Sequence, residues 1–173
     1  MAPTRRAQTQ AMTITDTDHR RRGPASAGAL AIFLLLGFAA ASTGYFFRPD
    51  EWYDTLNQPA FAPPDWVFGP VWSVLYVLMA TSAWLVWRRV GWGSALIRLW
   101  LVQLALNALW MPLFFSLQLL GTALIEIGLL WTAIAVCIVR FQPVSNTASW
   151  LLIPYLAWVT FAFALNLGYW WLN

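Results

Sequence analysis

The sequence has no lysine: all ten basic residues are arginine, and acidic residues number seven, so only 10% of the 173 residues are charged. That leaves too little charge to clothe a sizeable water-soluble domain, and the net charge of +3 calls for no nucleic-acid partner. Cysteine occurs once, as Cys137, which excludes an intrachain disulfide and reads as a small packing residue within an apolar run. Histidine also occurs once, as His19 in the polar N-terminal stretch, where nothing would orient it as a metal or haem ligand. Metal-ligand clusters, phosphate-cradling loops and nucleophile–base pairs are missing, and so is a conventional catalytic constellation; no metal site is expected. An internal repeat of the kind that builds two-halved transporters is absent too.

What remains is 60% hydrophobic and carries thirteen tryptophans. Five apolar runs, 27–46, 67–87, 94–116, 121–139 and 148–171, are each long enough to cross a hydrocarbon core of roughly 30 Å as a helix. Backbone polar groups in lipid must be satisfied internally, and the runs lack the period-two alternation of barrel strands, which predicts an all-α integral membrane protein, a five-transmembrane-helix bundle. The first run is too long for an ordinary signal core and is read as a retained helix. Residues 1–26 form a basic tail predicted to be disordered, and residues 27–173 the membrane domain, with an ordered loop at 48–66. Nine arginines fall in the tail or in segments assigned to one side, and Arg48 alone on the other. The positive-inside bias then predicts a multi-pass protein of a bacterial plasma membrane with a cytoplasmic N-terminus, an outer-membrane location being left open.

Trp66, Trp84, Trp87, Trp92, Trp150, Trp170 and Trp171 lie near predicted span ends and read as interfacial anchors, whereas Trp72, Trp110, Trp131 and Trp158 lie deeper. Helical spacing places Trp72, Tyr76 and Met79 on one face, Gln103, Asn107 and Trp110 on a second, and Trp158, Ala162 and Leu165 on a third. Glu126 and Asn166 share the outer half of the bundle with them. The bland alternative is that the amides join helices and the aromatics fill a core; Glu126, the one acid within a span, must face inward on either reading. The loop, stiffened by Pro49, Pro59, Pro63 and Pro64 and carrying Trp52, Tyr53 and Phe61, reads as a lid or a structural cap. Pro112 and Pro154 are expected to kink their helices. The small-residue stripes Gly37/Ala41/Gly44 and Thr160/Ala164/Gly168 are expected to admit close helix approach within the monomer, with dimerisation as the other use.

Three segments, WYDTLNQPAFAPPDWVFGPVWSVLY, QLALNALWMPLFF and PYLAWVTFAFALN, resemble in order the tryptophan-rich sensory protein family, also called the translocator protein or peripheral benzodiazepine receptor family. The resemblance implies a five-helix membrane fold, often a homodimer, that binds tetrapyrroles such as protoporphyrin IX or haem and in some members sterols. It implies a pocket of Trp52, Tyr53, Trp72, Tyr76, Asn107, Trp110 and Trp158, with Asn107 available for a directional hydrogen bond. Trp72 and Trp158 match residues implicated in light-dependent porphyrin breakdown. Gln58 and Phe61 stand where relatives commonly carry lysine and tryptophan, and no basic residue follows Tyr169, so a sterol-recognition pattern is missing. The function expected is a membrane tetrapyrrole-binding sensor or regulator needing no cofactor, with photochemical porphyrin degradation as a secondary activity. The alternative is a transporter of porphyrins or other amphipathic molecules.

Overall fold

A computed structural model describes residues 24–47 and 49–173. Residues 1–23 of the basic tail, with His19 and their expected disorder, and Arg48 lie outside the described residues, while residues 24–26, expected to belong to the disordered tail, already form the start of the first helix. Every regular element among those residues is helical: α1 (Pro24–Ala41), α2 (Thr43–Phe46), α3 (Glu51–Thr55), a 3₁₀ turn (Asp65–Val67), α4 (Phe68–Val90), α5 (Ala95–Met111), a π-helical turn (Pro112–Ser116), α6 (Leu120–Phe141), α7 (Asn146–Leu151) and α8 (Ile153–Leu172). They form five spans long and apolar enough to cross a membrane: Ser26–Phe46, Asp65–Val90, Ala95–Ser116, Leu120–Phe141 and Asn146–Leu172. The chain is an all-α bundle of five membrane-spanning helices, as its apolar runs predict.

Local chemistry sets the span ends. Gly91, at φ 77°, stops α4 in a conformation open to glycine, and the Ser94 hydroxyl then accepts from the Leu96 N–H at 3.1 Å to start α5. Pro112 cannot donate, so the third span closes in a wider turn, with Leu117 N–H donating to the Pro112 carbonyl at 2.9 Å. Pro154 acts likewise on the fifth span, which breaks at Leu152 so that the proline sits in the first turn of α8, where a missing N–H is harmless.

The first span packs on the second, the third on the fourth and the fourth on the fifth, with α7 wedged against the second. One core runs the length of the bundle through Phe33, Met79, Trp100, Ile134 and Tyr155. A second, smaller core under the loop gathers Tyr53, Phe114, Ala123, Leu165 and Tyr169. The lipid side is apolar as well: Leu35, Val74, Ile125, Leu129 and Val139 are more than half exposed.

Depth along a helix did not reveal which side of it each tryptophan occupies. Trp66, Trp150 and Trp171 are exposed at span ends, as anchors should be, but Trp87 is buried within the core and Trp84 donates its indole N–H to the Ser26 carbonyl at 2.8 Å. Trp131, expected inside, is 39% exposed and bonds Thr160 across the outer surface of the fourth and fifth spans. Trp100, which its sequence position did not distinguish, is wholly buried and meets Phe33 edge-on at 5.3 Å.

The segment between the first two spans folds back over the bundle. Asp50 caps α3, the Tyr53 hydroxyl reaches Tyr169 at 2.6 Å, and Asn57 exchanges hydrogen bonds with Asn173 at 2.8 and 3.2 Å. Pro59 sits on Gly168 so closely that a Cβ added there would lie 2.7 Å from the Pro59 Cγ. Gly168 thus admits the loop and not a neighbouring span, while Gly37 faces Tyr76 of the second span at a distance that leaves room for a methyl group, a Cβ there lying 3.7 Å from the Tyr76 ring and carbonyl. Gly168→Ala is expected to destabilise the protein by about 1–3 kcal/mol through this overlap. Hydrogen exchange should show faster exchange in the loop while the spans stay protected; an unchanged loop would contradict the docking.

Candidate functional site

Beneath the docked loop lies a cavity of about 500 Å³, within the range of small-molecule sites. Its walls come from all five spans and the loop. Trp72 and Tyr76 project from the second span, Asn107 and Trp110 from the third, Trp158 and Ala162 from the fifth, with Tyr53 above. The helix faces that the i, i+4, i+7 spacing picks out meet here at Trp72 and Tyr76, Asn107 and Trp110, and Trp158, Ala162 and Leu165, whereas Met79 and Gln103 on the same faces and Glu126, grouped with them by depth, do not line the cavity. Trp52 is the exception: it does not line the cavity but packs edge-on against Phe114 at 6.4 Å.

Ten of the lining residues are aromatic. Trp72 lies 5.5 Å from Tyr76 with the planes tilted by 33°, and meets Tyr155 edge-on at 6.1 Å. Trp158 sits between Phe68 at 5.8 Å and Phe161 at 5.4 Å, and Trp110 stacks on Phe114 at 4.9 Å. Such contacts hold each ring by its neighbours, so the indole faces are presented in set orientations. Asp65, exposed at the rim, is the one charged residue among the described residues that line the cavity.

The polar groups are mostly spoken for. The Tyr76 hydroxyl donates to Asn107 Oδ1 at 2.6 Å, and Asn107 Nδ2 donates to the Tyr155 hydroxyl at 3.1 Å, a chain that ties the second, third and fifth spans together. Asn107 is therefore a clamp first; its second amide hydrogen and second lone pair are what it has left for a ligand. Trp110 donates its indole N–H to Asn166 Oδ1 at 3.0 Å, and Asn166 Nδ2 donates to the Leu120 carbonyl at 3.0 Å, linking the third, fifth and fourth spans. Tyr155, Tyr169 and Phe68 belong to the site or its supports and were not picked out from sequence, whereas Asn166, grouped with the pocket residues by depth, does line the cavity. The shared depth of Asn166 with Asn107 was the one signal available.

Around Phe38, Gly69 and Ser73 the lining residues are also exposed on the outer surface of the bundle. The cavity thus opens sideways between the loop-side halves of the first and second spans, toward lipid. Below this gap Gly37 closes against Tyr76. Among the described residues no histidine or cysteine lines the cavity, and no three His, Cys, Asp or Glu side chains gather.

With this geometry in view, the comparisons are direct. The profile of the TspO/MBR family matches residues 29–172. The chain is 38% identical over 151 residues to protein CrtK of Rhodobacter capsulatus, covering 83% of this chain and 91% of that one. It is 42% identical over 134 residues to a tryptophan-rich sensory protein of Cereibacter sphaeroides, covering 78% and 84%, and 42% identical over 124 residues to the human translocator protein, covering 69% and 73%. The chain belongs to the TspO/MBR family and is an integral, multi-pass membrane protein embedded in a lipid bilayer.

Burial, chiefly, and the hydrogen bond with Tyr169 raise the Tyr53 hydroxyl above the ordinary tyrosine range. A folded-state value raised above the unfolded one contributes stability that is fully present below about pH 10 and is lost as pH climbs beyond it. The loop should accordingly loosen in that alkaline window, and Tyr53→Phe should flatten the dependence. Proteolysis of the loop between pH 8 and pH 11 would reveal it; identical profiles for wild type and Tyr53→Phe would contradict the assignment.

Proposed function

We propose that the protein is a membrane tetrapyrrole-binding sensor or regulator, with protoporphyrin IX or haem as the ligand and Trp72 and Trp158 as the principal stacking surfaces. The observation that carries this reading is an apolar cavity of about 500 Å³ with indole rings contributed by three different spans. A broad, flat, amphipathic ring system suits such walls, because stacking and burial reward a planar ligand without requiring charge. Family membership supports it, since the resemblance supplies the ligand class. Binding of the metal-free ring calls for no axial ligand and the reading calls for no further cofactor.

Light-dependent porphyrin degradation belongs to the same proposal as a secondary activity, with Trp72 and Trp158 next to the excited ring and oxygen as the co-reactant. A second reading, transport of porphyrins or other amphipathic molecules, is favoured by the sideways opening between the first and second spans, and the name translocator protein, borne by the human relative, points the same way. Ligand flux into sealed vesicles separates it from sensing. The homodimer implied by the resemblance is part of this reading, as is a plasma-membrane location with the N-terminus in the cytoplasm.

Titration of protoporphyrin in dim light, followed by tryptophan quenching and by a direct binding assay, tests the site. Trp72→Ala and Trp158→Ala should each weaken binding by roughly tenfold or more, the equivalent of about 1.4 kcal/mol. Unchanged affinity in both variants would remove the assignment. Orientation is tested with single cysteines in a Cys137→Ala background. An impermeant thiol reagent on intact cells should label Asp54→Cys in the loop and spare Gly93→Cys at the opposite end, and the reverse pattern would invert the topology.

A further inference from the structure

Among the described residues that line the cavity, Asp65 alone carries charge, and its place is at the mouth. Asp65, Gly69 and Ser73 all line the cavity and are all exposed, and their spacing of four residues sets them in line at the start of the second span. They form the second-span edge of the side opening, with Asp65 at its loop end. The Asp65 carboxylate also lies within electrostatic reach of the Tyr53 hydroxyl above the cavity. The described arginines are far from it: Arg88 and Arg89 end α4, Arg98 sits in the first turn of α5 and Arg140 in the last turn of α6, all at the opposite end of the bundle. Arg88 is about 35 Å away along the span, well beyond the reach of screening-limited attraction.

The other polar groups at the mouth accept rather than donate. The Ser73 hydroxyl gives its proton to the Gly69 carbonyl at 2.8 Å, and the Thr43 hydroxyl, on the first span, gives its own to the Ala40 carbonyl at 2.8 Å. With those protons engaged, both oxygens have only lone pairs left for a ligand. Pro49 also lines the cavity and has no N–H. Asp50, Glu51 and Asp54 add negative charge in the loop at the same end. The mouth is therefore negative and rich in acceptors, and its apolar walls carry that field further than water would.

We propose that Asp65 is a specificity-determining residue of the cavity: it weakens the binding of ligands that carry a carboxylate, strengthens the binding of those that carry a cationic group, and leaves uncharged ligands unaffected. A flat ring fills the aromatic interior, but a charged substituent cannot be buried there without a partner and is left at the mouth, where Asp65 meets it. Charges up to about 10 Å apart near a protein surface change affinity by about threefold to tenfold. The inference rests on the reading of the cavity as a small-molecule site. It narrows the ligand class, ranking a tetrapyrrole with esterified carboxylates above the free acid.

Binding in the dark to the full chain in nanodiscs of zwitterionic lipid tests the proposal with two probe pairs that keep the ring and change the charge. One pair is protoporphyrin IX and its dimethyl ester; the other is pyrenebutyrate and a pyrenebutyl trimethylammonium salt. Asp65→Asn should tighten protoporphyrin IX and pyrenebutyrate by about threefold to tenfold, weaken the cationic pyrene by a similar factor and leave the dimethyl ester unchanged. Asp65→Lys should move each charged probe further the same way, and high salt should shrink the differences. Asp54→Asn removes the same charge from an exposed loop residue that does not line the cavity. It should shift each probe by less than about twofold. Equal affinities in wild type and Asp65→Asn for the charged probes, a change shared by the dimethyl ester, or the same shifts in Asp54→Asn would overturn the proposal, as would failure of every probe to bind. If neither porphyrin binds while the pyrene pair responds as stated, the tetrapyrrole reading falls and the role of Asp65 stands.

Discussion

Polar groups between membrane helices cannot turn to bulk water, so each must find a partner on a neighbouring helix or leave its burial uncompensated. In this bundle that requirement is met where Tyr76, Asn107 and Tyr155 join the second, third and fifth spans through bonds of 2.6 and 3.1 Å. The amide can bridge two tyrosines because it offers an acceptor and a donor on opposite atoms. Rotating any of the three helices would strand these groups in an apolar surround. The rotation that satisfies them also sets Trp72 and Trp158 facing the cavity.

The rest of the site follows from that setting. Trp110, held by Asn166, and Tyr53, held by Tyr169, close the cavity from the third span and from the loop. The loop can lie so low because Gly168 presents no side chain to Pro59, and the Asn57–Asn173 pair fastens the loop to the C-terminal end of the fifth span. The first span contributes small residues and Phe38 and leaves the loop-side part of its seam with the second span open. The cavity therefore has its opening at the side of the bundle, while the loop lies over its end.

The five spans were legible because each apolar run is longer than any soluble core helix needs, and the two span breaks because proline removes a backbone donor at Pro112 and Pro154. Much of the cavity was legible too: Trp72 with Tyr76 and Asn107 with Trp110 lie on shared helix faces by spacing alone. Rotation about the helix axis was the hidden variable. In a lipid-embedded helix both sides are apolar, so periodicity does not mark the inner face, and Trp87 and Trp131 were assigned to the wrong surroundings for that reason. The partners of Asn107 and Asn166 lie 31 to 56 residues away in sequence, and only the packed bundle reveals them.

A double-mutant cycle on the clamp, reading dark protoporphyrin affinity and unfolding temperature on the same samples, tests the central claim most directly. Tyr76→Phe and Asn107→Leu each remove the 2.6 Å bond. If that bond sets both the bundle and the cavity, the double variant should be little worse than Asn107→Leu alone, with affinity and stability falling together. Independent, additive losses, or wild-type affinity in a destabilised Asn107→Leu protein, would contradict the account.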